Sequence, residues 1–135
     1  MATNPHFLLA LRNTMLNDIT TSLSTSAVFV IYAGTQPADV SSATTAANTV
    51  VASLAFPSTN AFGAASGGVL TANTITSDSS AAGGTAAWFS IQKPTGARVI
   101  DGSVGTSGAD LNLNSVTVST GAAVAISAFT CTFAA

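Results

Sequence analysis

The sequence predicts a mainly β fold: an antiparallel β-sandwich or jelly-roll-like barrel of seven to eight short strands, preceded by one N-terminal amphipathic helix. Three observations predict it. From Ser26 onward, apolar residues alternate in short runs punctuated by Gly, Pro, Asp and Asn. Twice the alternation changes phase within a run, which marks a β-bulge or a strand bending from one sheet to another. Helical spacing occurs only near the N-terminus. The expected organisation is a helical arm over residues 1–25 and a sandwich domain over residues 26–135.

Each element has its own signal. Asn4 is placed to cap a helix whose first turn holds Pro5, where a missing N–H costs nothing. Leu8, Leu11, Met15, Ile19 and Leu23 then recur at spacings of three and four, with Arg12, Asn13, Asn17 and Asp18 elsewhere on the wheel. This predicts a helix over about residues 5–22, serving either to cover one end of a sheet or as an arm docked on a partner. Ala27–Tyr32 is an unbroken β-branched and aromatic run, suited to a central strand. Gly34–Asn48 is a long polar loop. Val50, Ala52, Leu54 and Phe56 predict a strand with one buried face, stopped by Pro57. A glycine-rich turn over Phe62–Gly68 leads to a strand over Val69–Thr76, followed by a small-residue loop from Asp78 to Gly84.

Thr85–Gln92 and Ala97–Val104 flank Lys93-Pro94-Thr95-Gly96, which has the Pro and Gly of a type I turn. Ala87, Phe89 and Ile91 share one face of the first strand, and Trp88 lies on the other. Beyond the loop Gly105–Asp110, Leu111 and Leu113 alternate in one phase and Val116 and Val118 in the opposite one. Val124 and Ile126 stand in the same relation to Phe129, Cys131 and Phe133.

Only eight residues are charged, and more than half of the chain is Ala, Ser, Thr or Gly. Soluble domains ordinarily carry about a quarter charged residues. A surface of hydroxyls and small methyls repels its neighbours weakly and suits close packing against other protein. The 135 residues make one domain able to bury a core. Its large members run from Leu8 and Leu11 through Phe29, Ile31, Leu54, Phe56, Phe62, Leu70, Ile75, Trp88, Phe89, Ile91, Ile100, Leu111, Leu113, Ile126 and Phe129 to Phe133. With a net charge of −2 and only Arg12, Lys93 and Arg98 as cations, neither nucleic acid nor an anionic membrane is an expected partner. No run reaches the ~20 apolar residues of a membrane helix. The N-terminus has no basic lead and is interrupted by Arg12 and Asp18, so it does not resemble a secretory signal. The expectation is synthesis in a cytoplasm without processing.

The inventory for catalysis is thin, and no enzyme is expected. His6 is the sole histidine and Cys131 the sole cysteine, the latter in an apolar run that suits a buried inert thiol. Together they cannot supply a zinc tetrad. Neither a Gly-x-Ser-x-Gly elbow nor a phosphate loop occurs. All five acidic residues are aspartate, which favours turns and caps. Asp78, Asp101-Gly102-Ser103 and Asp110-Leu111-Asn112 are oxygen-rich, but their spacing matches no calcium loop, so turn capping is the better reading and neither metal nor cofactor is expected. Trp88 on a middle strand is read as a core anchor; exposed, it would suit sugar stacking.

Several stretches resemble a group of small virion proteins of tailed bacteriophages. They are Ile31-Tyr32-Ala33-Gly34-Thr35-Gln36-Pro37-Ala38, Leu54-Ala55-Phe56, Ala61-Phe62-Gly63-Ala64-Ala65-Ser66-Gly67-Gly68-Val69, Ile75-Thr76-Ser77-Asp78, Gly84-Thr85-Ala86 with Trp88, and above all Asp101-Gly102-Ser103-Val104-Gly105-Thr106-Ser107-Gly108-Ala109-Asp110-Leu111-Asn112-Leu113-Asn114. The resemblance spans Val28–Ala134 and transfers no catalytic residue. It implies a head structural component, notably a capsid decoration or cement protein on the outer surface of the phage head. The expected partners are the major capsid protein and further copies of the chain, as a homodimer or homotrimer. The expected contact surface is Phe7, Leu8, Leu11, Met15 and Ile19 on the helix, Phe62, and the loops Gly34–Asn48 and Phe62–Gly68. The alternative is a tail or fibre module that binds a host-surface glycan through exposed Trp88 or Tyr32. An enzyme would require His6 and an aspartate to converge in one pocket.

Overall fold

The computed structural model describes residues 6–133, so the Asn4-Pro5 start of the predicted helix lies outside the described residues. The one helix among the described residues, α1, runs Leu9–Leu23, later than predicted, and His6–Leu8 are not helical. Leu8 occupies the N-cap position and has no side chain to receive an orphan N–H. The strands are β1 (Val28–Tyr32), β2 (Val50–Ala55), β3 (Val69–Thr71), β4 (Gly84–Thr85), β5 (Trp88–Gln92), β6 (Arg98–Gly105), β7 (Leu111–Asn112), β8 (Thr117–Val118) and β9 (Thr130–Thr132).

Among the described residues the chain is mainly β with one helix, and nine strands exceed the seven or eight predicted. Two predicted strands are each divided. Ala86 donates to Val116 O while Ala87 donates to Tyr32 O, so the chain changes partners between β4 and β5. Likewise β7 joins β6 while β8 pairs with β4, so the phase change after Leu113 marks a passage between sheets. The second phase change has the same cause: Val124 bridges Asp78, whereas β9 pairs with β3.

The strands form one five-stranded sheet, ordered β2-β1-β5-β6-β7, and two two-stranded ribbons, β3-β9 and β4-β8. Every strand pair is antiparallel except β6-β7. Lys93 accepts from Gly96 N at 2.9 Å, and Gly96 has a positive φ of 88°, so the predicted turn closes the β5-β6 hairpin. In β2, Ala52 and Leu54 are buried as predicted, as is Phe56 just beyond it, but Val50 is exposed and Val51 is buried instead. A register shift pairs Ile31 with Ala52 and Tyr32 with Val50, leaving Val51 as the extra, inward-turned residue of a bulge.

The main core lies on one face of the large sheet, where Phe29 and Ile31 of β1 meet Phe89 and Ile91 of β5. Phe29 stacks on Phe89 at 4.8 Å between centroids, and Phe129 meets both edge-on at 5.4 and 5.3 Å. Phe56 and Phe62 complete a five-ring cluster, closed by Leu16 and Leu23 of the helix and by Leu70, Ile75, Val124 and Ile126. Gly102 lies opposite Phe89, and a Cβ there would sit 2.5 Å from the ring. The glycine is required by the ring it backs. Gly102→Ala is expected to cost about 1–3 kcal/mol, read as a lower denaturant midpoint with an unchanged m-value.

Candidate docking surface

Two interleaved stripes run along α1, each at spacings of three and four. Leu9, Arg12, Leu16, Ile19 and Leu23 form one; Leu8, Leu11, Met15, Asp18 and Ser22 form the other. The first faces the body beyond its exposed first member, Leu9: Leu16 and Leu23 are fully buried, and Ile19 packs against the core. Polar side chains beside it fix the docking. Asn17 Oδ1 accepts from Ala65 N at 2.8 Å, Asn13 Oδ1 from Gly68 N at 2.9 Å, and Arg12 Nη1 donates to Phe133 O at 3.0 Å. The asparagines, which lie elsewhere on the wheel than the apolar spacing, therefore hold the helix to the protein.

The second stripe faces outward. Leu8 is 73% exposed, Phe7 47%, Leu11 46% and Met15 37%. Phe7 and Leu8 precede the helix, and Leu11 and Met15 lie on its N-terminal half. Two predicted members do not join them. Ile19 is partly buried, and Phe62 is only 1% exposed because it belongs to the five-ring core. The loop Phe62–Gly68 is also no free contact loop: Phe62 and Gly68 are buried, and its backbone is clamped by Asn13 and Asn17. Sequence reasoning missed Leu9 and Phe133, both exposed large apolar residues. Phe133 lies within reach of the helix through Arg12.

The loop between β1 and β2 is exposed but tied down. Arg98 Nη2 donates to Asp39 O and Ser42 O, and Asn48 Nδ2 donates to Thr35 O at 2.8 Å. Beneath the loop lies the second face of the sheet. Trp88 is fully buried there, stacked on Tyr32 at 4.4 Å, with the Arg98 guanidinium 5.4 Å from its ring centre. Its Nε1 donates to Ala33 O at 3.3 Å. Trp88 is thus an anchor, as expected from its strand, with no free ring face for a sugar. Arg98 also pairs with Asp101 at 2.5 Å, with side-chain exposures of 7% and 4%.

The groove beside the helix, of about 450 Å³, is lined by hydrogen-bonding side chains, among them Asn17, Thr20, Thr21, Asn60 and Asn73. Among the described residues no cluster of His, Cys, Asp or Glu could hold a metal ion, and no helix is long and apolar enough to cross a membrane. Three aspartates cap turns or edges. Asp39 accepts from the Ser41 hydroxyl and the N–H groups of Ser41 and Ser42; Asp78 from Ser53 N and Ser80 N; Asp110 from the N–H and hydroxyl of Ser103. These bonds hold all three carboxyls below their ordinary 3.8. Burial pushes the Cys131 thiol up.

Two outcomes follow from this arrangement. Arg98→Ala strands a buried Asp101 whose Oδ1 already lacks a partner, and is expected to cost about 3–5 kcal/mol. It should also free the loop, giving a red-shifted Trp88 fluorescence. For the aspartates, folded-state pKa values below the unfolded value mean stability present above the unfolded pKa and lost as pH falls through the folded one. The thermal midpoint is expected to be flat from neutral pH to about 5 and to fall below about 4, with Asp78→Asn removing part of that acid slope.

Comparison with protein-family models, with curated proteins and with solved structures returned no match.

Proposed function

We propose that this chain is a structural subunit of a phage particle, a cement protein that adheres across capsomer junctions of the head. One observation carries the reading: Phe7 and Leu8, just before a helix that is itself firmly docked, and Leu11 and Met15 on its outer face are all exposed. Exposed apolar groups gathered in one place mark interaction surfaces. A chain with only eight charged residues, two of them buried as the Arg98–Asp101 pair, presents little charge to oppose close contact. In this reading the two ribbons stand in for the second layer of a sandwich, and the loop between β1 and β2, stiffened by Arg98, is a second contact element. Contacts of modest strength gain from repetition, because a protein held at several lattice sites rebinds at high effective concentration. The major capsid protein is the partner proposed. A glycan-binding tail module is the weaker reading, since Trp88 is buried between Tyr32 and Arg98.

The test is location. Cryo-electron microscopy of purified particles is expected to show density for the chain on the outer head surface, absent from particles lacking it. Density confined to the tail, or none on any particle, sinks the proposal. A Leu8→Asp, Met15→Asp double variant should lower occupancy at least about tenfold while melting like the parent protein, because both side chains already face water.

A further inference from the structure

We infer that the loop over residues 34–48 is a strap that opens as one unit, latched by Arg98, and uncovers Trp88 while the sheet beneath stays folded. The inference concerns how the loop is held and does not depend on what the chain adheres to.

The loop is complete within itself. Asp39 Oδ1 accepts from the N–H groups of Ser41 and Ser42, and Ser42 N also donates to Asp39 O at 3.1 Å. A second turn is closed by Asn48 N on Thr45 O at 3.0 Å and by Thr45 N on Asn48 Oδ1 at 2.8 Å. Bonds of this kind persist when the segment moves as a body. At the base the two chain ends are joined: Ala33 N donates to Thr49 O at 2.9 Å, and Asn48 Nδ2 to Thr35 O at 2.8 Å. Gly34 has a positive φ of 80° there, and a Cβ would lie 2.5 Å from Ala47 O. A surface loop with its ends tied together and its own internal bonds is an Ω-loop.

Its hold on the body is narrow by contrast. No residue from 34 to 48 is buried, and none of its apolar residues belongs to the core or packs against it. Among the described residues, the hydrogen bonds that tie the loop to the body beyond its base come from Arg98 alone, to Asp39 O and Ser42 O. The same guanidinium pairs with Asp101 and lies 5.4 Å from the Trp88 ring centre, so one side chain joins loop, carboxylate and ring. Asp101 is on β6 with Arg98, and their pair stays intact when the loop leaves. What the latch gives up is two neutral carbonyls, acceptors that water replaces more readily than it replaces a carboxylate. A segment with few buried apolar contacts opens at a fraction of the free energy of global unfolding.

Trp88 is the only tryptophan, fully buried, and its Nε1–H donates to Ala33 O at the base of the loop. Its indole hydrogen exchange therefore reads the strap, and the amides of the β1-β5 ladder read the sheet. In the full chain followed by NMR, the indole is expected to exchange at least about tenfold faster than those amides once intrinsic rates are divided out. Arg98→Lys keeps a charge for Asp101 but loses the fork that reaches the loop, and should raise that ratio about tenfold further. Gly34→Ala strains the base without touching Arg98 or Asp101 and should raise it too, with stronger acrylamide quenching of Trp88 fluorescence. Where Arg98→Lys does not fold, the ratio in Gly34→Ala decides. Indole and ladder exchanging at one rate in the wild-type protein, or a ratio that the deciding variant leaves unchanged, means the loop departs only with the whole fold and overturns the inference.

Discussion

A chain whose strands are mostly two to six residues long must find partners for its backbone outside the regular ladders. Each buried N–H or carbonyl left alone costs about 1–3 kcal/mol, so the deficit cannot be ignored. This protein meets it with short polar side chains. Asn13 and Asn17 satisfy Gly68 and Ala65; Asn48 serves Ala33, Thr35 and Thr45; Asn73 reaches Asn60 O. Asp78 caps the outer edge of β2 through Ser53 N while its own backbone pairs with Val124. The absence of glutamate then has a physical meaning. A shorter arm places its oxygen close to the backbone with less rotamer freedom to lose.

The same economy of charge shapes the two faces of the main sheet. On one, five phenylalanines provide a core without any polar atom to satisfy. On the other, Trp88, Tyr32, Gln92, Arg98 and Asp101 form a polar layer in which most donors find acceptors, including Gln92 Nε2 to Tyr32 Oη at 2.8 Å. One of only three cations is therefore spent inside the protein, pinning the loop between β1 and β2. A second, Arg12, fixes the last described residue to the helix. Two of the eight charged residues, Arg98 and Asp101, are thus taken from the surface as a buried pair.

Local signals were legible where one force acted alone. The run Ala27–Tyr32 needed only burial to become β1, at the heart of the sheet, and Lys93–Gly96 needed only turn chemistry. The phase changes after Leu113 and Ile126 announced changes of partner, though not that β7 would run parallel to β6. The helix was harder, because both of its stripes have apolar residues at helical spacing. Arg12 interrupts the stripe that is buried, and Asp18 and Ser22 end the one that is exposed. Nothing local says that Arg12 will find Phe133 O, a contact 121 residues away, or that asparagines will face inward. Phe62 was misjudged for a related reason: a phenylalanine beside glycines looks like a loop tip until Phe56 and Phe129 are seen on either side of it.

The exposure of the remaining stripe is a consequence of how the helix is held. Asn13, Asn17 and Arg12 set its rotation by hydrogen bonds of fixed direction, while Leu16 and Leu23 set its depth. Rolling the helix to bury Leu11 and Met15 would break three such bonds and bring Leu16 into water. At about 0.5–1.5 kcal/mol net for each hydrogen bond and about 1.5–3 for the leucine, the roll is opposed by several kcal/mol. The apolar stripe is therefore not a surface that the fold could tuck away on its own. The bonds that dock the helix are thus the same ones that keep Leu11 and Met15 in water.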